Sequence, residues 1–289
     1  MIEQKGHILV LKTGPGTTIQ DLGRKNWTKF GIPNSGPCDF ISAEWVNHVL
    51  RNDGNCAVLE ISQPGVKMEF HGSCMIALAG AKASVLLDGE PIPQFQRLVL
   101  KNNSVLEVGA MEEGSKVYLG VRGGFQTPLR LGSRSYFQEI TPHAFVQKGD
   151  QLPYISTHSS FDSGFSVPKW DSTWFQKTAL EFYPGPDYQF LSHENREKLL
   201  NQEFTVSQFS SRMGTLLTEL LENDIPELPT NPVYPGIVQL TSGGKLIVLG
   251  RDAQVTGGYP RIMFLTELSQ AILAQKRTGQ KIRFIKKQP

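Results

Sequence analysis

The sequence predicts a mainly β protein in which short strands build barrels or sandwiches. Three observations carry this. Short alternating or apolar runs, each bounded by Gly, Pro, Asn or Asp, recur along the chain. Only a few segments hold an apolar stripe at helical spacing. Strand and helix patterns do not alternate regularly, which argues against a βαβ repeat and for an all-β architecture.

In chain order, the expected strands are His7–Lys12, Val66–Phe70, Cys74–Ala79, Ser84–Leu87, Gln96–Leu100, Val105–Val108, Lys116–Val121, Leu180–Tyr183, Ile237–Leu240 and Leu246–Gly250. Three segments read as helix. Phe40–Arg51 places Ile41, Trp45, Val46, Val49 and Leu50 on one face, with Asp39 positioned to cap it. Ser192–Leu200 is shorter and more charged and starts at a plausible serine cap. Arg261–Lys276 is the longest, with Met263, Leu265, Leu268, Ile272 and Leu273 available for burial. Between the β-rich halves, Gln151–Trp170 is rich in Ser, His, Asp and Gly and reads as a loop. The basic residues from Lys276 to Lys287 read as a helix end and a frayed tail.

A chain of 289 residues exceeds a single ordinary core, so one large or two modest domains are expected. Its 39% hydrophobic and 19% charged content fit a folded core and exclude a disordered chain. The net charge of +2 is spread without a long basic block or interleaved aromatic platforms, which argues against nucleic-acid binding. No apolar run is long enough to span a membrane as a helix. An odd number of cysteines (Cys38, Cys56, Cys74), no CxxC and no apolar leader point to the reducing cytoplasm. The histidines are scattered without metal-ligand spacing, so no metal site is expected.

The densest concentration of chemistry lies in Gly14-Pro-Gly-Thr-Thr-Ile-Gln-Asp-Leu-Gly-Arg24 and Gly31-Ile-Pro-Asn-Ser-Gly-Pro-Cys-Asp39. Glycines here admit left-handed backbone or close approach of a ligand. Thr18, Ser35 and backbone amides supply neutral donors, Arg24 a planar cation, and Asp21 and Asp39 acceptors. This suits a small polar ligand carrying a carboxylate or amide. It equally suits a pair of tight turns whose side chains satisfy local backbone groups. Three further segments place arginine among Gly and Ser: Arg122-Gly-Gly124 with Leu131-Gly-Ser-Arg-Ser-Tyr136, Phe209-Ser-Ser-Arg-Met-Gly214, and Leu249-Gly-Arg-Asp-Ala-Gln-Val-Thr-Gly-Gly-Tyr-Pro260. Each arginine suits an oxyanion or, as readily, loop carbonyls. Asp252, Gln254 and Thr256 alternate and would share one face of an extended strand end.

Several motifs are absent. Ser242-Gly-Gly-Lys245 is not a phosphate loop, because Gln239 and Leu246 stand where Gly and Ser or Thr are needed; it reads as a hairpin turn. There is no GxSxG elbow and no Met-Lys-Met tripeptide, so this chain is not expected to carry biotin itself.

Taken in order, Gly16–Arg24, Gly31–Asp39, Leu59-Glu60, Gly123-Gly124, Leu131–Ser135, Tyr183-Pro-Gly-Pro186, Ser211–Gly214 and Thr256–Pro260 resemble the biotin-dependent carboxyltransferase-like family, from about Ile8 to about Phe284. That family includes the C subunit of bacterial 5-oxoprolinase (KipA), proteins described as the second subunit of allophanate hydrolase, and part of the carboxyltransferase region of urea carboxylase. The resemblance implies two cyclophilin-like β-barrel subdomains, approximately 1–115 and 116–289, whose segments can interleave. It implies partners, namely the KipI-like B subunit and the A subunit of 5-oxoprolinase. The reaction implied is ATP-dependent opening of the lactam of 5-oxo-L-proline to L-glutamate. Because no nucleotide motif is visible in this chain, ATP is expected to bind through the complex.

Two other functions fit the same resemblance: carboxyl transfer to urea or a related amide from a biotin carrier, and non-enzymatic antagonism of a KipI-like kinase inhibitor. Residues in matching motifs are candidates. Arg24 and Arg212 would hold a carboxylate or phosphoryl group, and Asp39 or Asp252 would act as base or orient water. Thr18, Asp21, Ser35, Gly36, Arg134, Gln254, Thr256 and Tyr259 would bind substrate. The chain departs from the family at Pro37-Cys38, where Ala-Met is commoner, in Asn231–Gly236, and in Asp252–Thr256.

Overall fold

The computed structural model of the protein describes residues 4–62, 64–156, 168–226 and 228–288. Contacts divide the chain into two compact units, Met1–Arg24 with Ser35–Ser172, and Lys25–Asn34 with Thr173–Pro289. The division expected after residue 115 falls inside one continuous strand, so the structural boundary lies near Ser172 instead.

The first unit is a nine-stranded sheet. Its strands are β1 (Gln4–Lys12), β2 (Thr18–Gln20), β3 (Val58–Ile61), β4 (Val66–His71), β5 (Cys74–Leu87), β6 (Glu90–Pro91), β7 (Arg97–Leu100), β8 (Ser104–Val121) and β9 (Gln151–Ser156). The main path runs β2-β3-β8-β4-β1-β9, and β5 pairs along β8 with three register shifts. Such irregularities bend long strands, which lets β5 and β8 each serve two parts of a curled, half-barrel sheet. Inside it lie Ile8, Val10, Leu59, Met68, Phe70, Ile76, Leu106, Leu119 and their neighbours.

Helix α1 (Phe40–Leu50) covers the outer face of this sheet, and Val46, Val49 and Leu50 pack with Val58, Met75, Ala77, Ala79 and Tyr118. The Asp39 carboxylate accepts from the Ser42 amide at 3.0 Å, the capping bond that the sequence predicts. Gly120 of β8 permits this docking. A Cβ there would stand 2.4 Å from Val46 Cγ1 and 2.9 Å from Leu50 Cδ1.

The second unit is a closed barrel of seven strands. They are β10 (Ala179–Pro184), β11 (Phe204–Ser210), β12 (Gly214–Leu220), β14 (Ile237–Leu240), β15 (Lys245–Leu249), β17 (Arg261–Leu265) and β18 (Lys281–Lys286), while β13 (Asn231–Pro232) and β16 (Thr256–Gly257) form a separate pair. The barrel order is β10-β17-β14-β15-β12-β11-β18, closed by a parallel β10–β18 pairing. Its described helices are α2 (Thr173–Gln176), α3 (His193–Asn201) and α4 (Glu267–Ala274). Ser192 caps α3 as expected.

The mainly β class therefore stands, and several element readings are corrected. Ser84–Leu87 belongs to one strand with Cys74–Ala79, and Val105–Val108 to one with Lys116–Val121. Arg261–Leu265 is a strand rather than the first half of a helix; α4 starts only after Thr266, whose hydroxyl accepts from the Ser269 amide. The basic C-terminal segment is not a frayed tail. In β18, Ile282 and Phe284 point into the barrel core while Lys281, Arg283 and Ile285 face out. Residues 151–156 form β9, and 157–167 of the expected loop lie outside the described residues.

Candidate functional site

In the first unit, the motif at 14–24 and the Ser35–Asp39 part of the second motif converge with Ser133–Ser135 into one buried polar cluster. Asp21 is its hub. Its carboxylate accepts from Ser133 Oγ at 2.5 Å, Ser135 Oγ at 2.8 Å, the Arg134 amide at 2.6 Å and the Gly23 amide at 2.9 Å. Four donors on one carboxylate satisfy its lone pairs within the protein. Arg24 is fully buried; its guanidinium donates to Ser35 Oγ at 2.9 Å and to the Ser135 carbonyl, and lies over the Phe137 ring. The backbone of Ser35 and Gly36 is left-handed, with φ of 60° and 100°. The Gly36 amide donates to Gln20 Oε1 at 3.0 Å, and Gln20 Nε2 in turn donates to Thr18 Oγ1 at 3.1 Å. Arg134 is half-buried and donates to the Thr127 carbonyl and to Gln126 Oε1.

Asp39 belongs to an adjoining network. Its carboxylate accepts from the amide and the hydroxyl of Ser42, and its own amide donates to Tyr118 Oη at 2.8 Å. The phenol donates to Glu60 Oε2 at 2.8 Å, which also accepts from the Cys38 amide at 2.8 Å. Thr18, Glu60 and Tyr118 lie in register across β2, β3 and β8, so the sheet itself sets this row. Burial, and then the negative charge of Glu60 and Asp39, push the Tyr118 phenol well above its ordinary value. It therefore stays protonated and acts as a donor.

In the second unit, Arg212 and Asp252 form a bidentate pair, Nε to Oδ2 at 2.6 Å and Nη2 to Oδ1 at 3.2 Å. The Asp252 amide donates to the Arg212 carbonyl at 2.9 Å, locking the loop after β15 to the loop before β12. Gly250 lies so close to Arg212 that a Cβ would stand 2.3 Å from its carbonyl oxygen. Gln254, Thr256 and Tyr259 are exposed. They do not form the continuous strand face expected from their alternation, because only Thr256 and Gly257 are paired, in β16. Beneath them lies Gln239, fully buried, with its amide 3.4 Å from both Gln254 and the Tyr259 carbonyl.

The predicted residues thus form two clusters, one in each unit: Thr18, Asp21, Arg24, Ser35, Gly36, Asp39 and Arg134 in the first, and Arg212, Asp252, Gln254, Thr256 and Tyr259 in the second. Sequence reading missed Gln20, Ser133 and Ser135 as partners, Tyr118 altogether, and Gln239. The available signal was a lone polar side chain within a fully buried strand, as in Val58–Ile61 and Ile237–Leu240, where burial demands a partner.

A family model described as carboxyltransferase domain, subdomain A and B, matches residues 30–286. The chain belongs to this carboxyltransferase-domain family. It is 31% identical over 284 residues to the 5-oxoprolinase C subunit of Escherichia coli (strain K12), covering 96% of this chain and 90% of that one. It is 38% identical over 296 residues to urea amidolyase of Saccharomyces cerevisiae, covering 94% of this chain but 16% of that protein. Among solved structures, TTHA0988 shares the fold with a TM-score of 0.86 and 26% identity, covering 98% of this chain and 57% of that one. The chain therefore spans little more than half of TTHA0988 and a small part of the urea amidolyase. The motifs that carry the family resemblance include the first cluster's predicted residues and, of the second, Arg212, Thr256 and Tyr259, whereas Asp252 and Gln254 lie in a segment that departs from the family.

Proposed function

We propose that this carboxyltransferase-domain protein is the C subunit of an ATP-dependent 5-oxoprolinase, which opens 5-oxo-L-proline to L-glutamate with a KipI-like B subunit and an A subunit in the cytoplasm. The observation that carries this reading is the end-to-end likeness to the E. coli C subunit, 96% of one chain against 90% of the other. Burial sorts the candidate residues into two roles. Asp21, Arg24, Ser35 and Asp39 are buried and hydrogen-bonded within the protein, which supports a framing role: they hold two glycine-bearing loops in fixed shape. Gln254, Thr256 and Tyr259 are accessible and follow in sequence the Asp252 that holds Arg212 rigid, and these are assigned to substrate. An amide-bearing ring such as a lactam offers one carbonyl acceptor and one N–H donor, which the Gln254 amide can match in both senses.

The residues present do not make a nucleotide loop. Ser242–Lys245 forms the β14–β15 hairpin, with the Gly244 amide donating to the Thr241 carbonyl at 2.9 Å, and no helix follows. ATP is therefore assigned to the assembled complex. The likeness to urea amidolyase supports a second reading, carboxyl transfer to an amide from biotin carried on another chain.

Deletion of the gene in its host tests the proposal. Accumulation of 5-oxoproline, together with loss of ATP-dependent glutamate formation from it in lysates, is expected. Unchanged 5-oxoproline with loss of biotin-dependent carboxylation would overturn it in favour of the second reading.

A further inference from the structure

Gln239 stands in a strand whose other residues are apolar. Val238 and Leu240 belong to the barrel core, and Ile237 joins Val233, Leu249 and Ala253 in a small separate cluster. Alternate residues of a strand share a face, so Gln239 lies on the side of Ile237 rather than in the core. It is fully buried there, in contact with Gln254 and Tyr259. A buried carboxamide costs stability unless its donors and acceptors find partners.

Those partners fix which way round the group lies. Gln239 Nε2 donates to the Tyr259 carbonyl at 3.4 Å, and Oε1 accepts from Gln254 Nε2 at 3.4 Å. A carbonyl oxygen only accepts, so the nitrogen of Gln239 has to face Tyr259. Its oxygen is left for Gln254, which in turn has to offer nitrogen. Reversing either amide would set two acceptors against each other. The backbone around this relay is tied down. The Val233 amide donates to the Val255 carbonyl at 2.9 Å, the Leu228 amide to the Gly258 carbonyl at 2.9 Å and the Leu240 amide to the Pro260 carbonyl at 3.0 Å. A Cβ on Gly257 would stand 2.7 Å from Gln239 Nε2, so the close approach of the buried amide requires glycine there.

We propose that Gln239 is a positioning residue that sets Gln254 to read an amide whose N–H and C=O lie on one edge, as in a lactam, a primary amide or urea. Gln254 is exposed and gives one Nε2 hydrogen to Gln239. Its second hydrogen and its Oε1 remain for a ligand. That donor–acceptor pair complements an N–H and a C=O held side by side, and it is mismatched to an ester, which lacks the N–H. A trans secondary amide points the two groups in opposite directions and is mismatched too. This role for Gln239 rests on the reading above that assigns Gln254 to substrate.

The test compares 5-oxo-L-proline with its ring lactone, in which oxygen replaces N–H, by calorimetric titration of the assembled complex. The wild-type complex is expected to bind the lactam about tenfold tighter, the size of one hydrogen bond to a fixed partner. Gln239→Met, apolar and of similar length, should shrink that ratio several-fold and leave the lactone's affinity nearly unchanged. Equal affinities in the wild type, or a variant that weakens both ligands together as a purely structural role would, overturns the proposal. Gln254→Leu, at an exposed position, should abolish the ratio, and a ratio that persists would also overturn it. Failure of both ligands to bind a fully formed complex would instead contradict the 5-oxoprolinase reading. The relay itself is judged in the full chain without ligand, from the side-chain amide protons of Gln254 by NMR. Their exchange with water should quicken several-fold in Gln239→Met, and unchanged exchange would overturn the positioning role whatever the substrate.

Discussion

Tyr118 shows how a single side chain couples strand, helix and loop. Its phenol accepts from the Asp39 amide at the start of α1 and donates to Glu60, which holds the Cys38 amide. All three side chains at this junction, Tyr118, Glu60 and Asp39, are fully buried. Removing the hydroxyl leaves a buried donor and a buried acceptor without this partner, which costs more than the bond itself contributes. Tyr118→Phe should therefore lower stability by about 1–3 kcal/mol in urea unfolding. A loss within error of zero would mean that water or another group replaces the phenol at no cost. Legibility at this scale was uneven. Asp39 was readable as a cap because its partner Ser42 is three residues away. Ser133 and Ser135 were not readable as partners of Asp21, because they are more than a hundred residues distant and only the fold brings them near.

At the scale of elements, local signals were legible where one period dominated. Helix α1 and the Ser242–Lys245 hairpin formed where the pattern placed them. Arg261–Leu265 was misread because Met263, Leu265 and Leu268 suit a helical stripe. The structure instead pairs that run with β10 and β14, and the helix begins at the Thr266 cap. In β18 the alternation of Lys281, Ile282, Arg283 and Phe284 was the strand signal, masked by the basic composition. The docking of α1 on β8 makes its own prediction. Gly120→Ala puts a methyl group into Val46 and Leu50, an overpacking that should cost about 1–3 kcal/mol. Combining it with Val46→Ala should recover part of that loss in the same unfolding assay, and a strictly additive pair would contradict the contact.

Across the whole molecule, acid sensitivity follows from a histidine pair on two interior strands of the first sheet. His7 and His71 face each other across β1 and β4 with rings stacked at 4.7 Å, and His71 Nε2 lies 3.7 Å from Glu69. Desolvation and then the neighbouring His71 hold His7 below its ordinary value of 6.5. The unfolded chain then binds the proton first, so this contribution is present above about pH 6.5 and drains as pH falls through that range. The denaturation midpoint should drop between about pH 7 and pH 5, and His7→Gln should flatten the drop; an equally steep profile in the variant would assign the sensitivity elsewhere.

The mainly β class was legible from strand patterns throughout the chain, but the division into units was not. β8 runs through the expected boundary, and Lys25–Asn34 groups with the second unit although its neighbours in sequence belong to the first. In the proposed function, activity belongs to an assembly. The most direct measurement is ATP-dependent release of glutamate from 5-oxoproline by the purified chain, alone and mixed with the proteins encoded beside it. Turnover in the mixture and none without this chain is the predicted result. A complex that forms in full and releases no glutamate would contradict it.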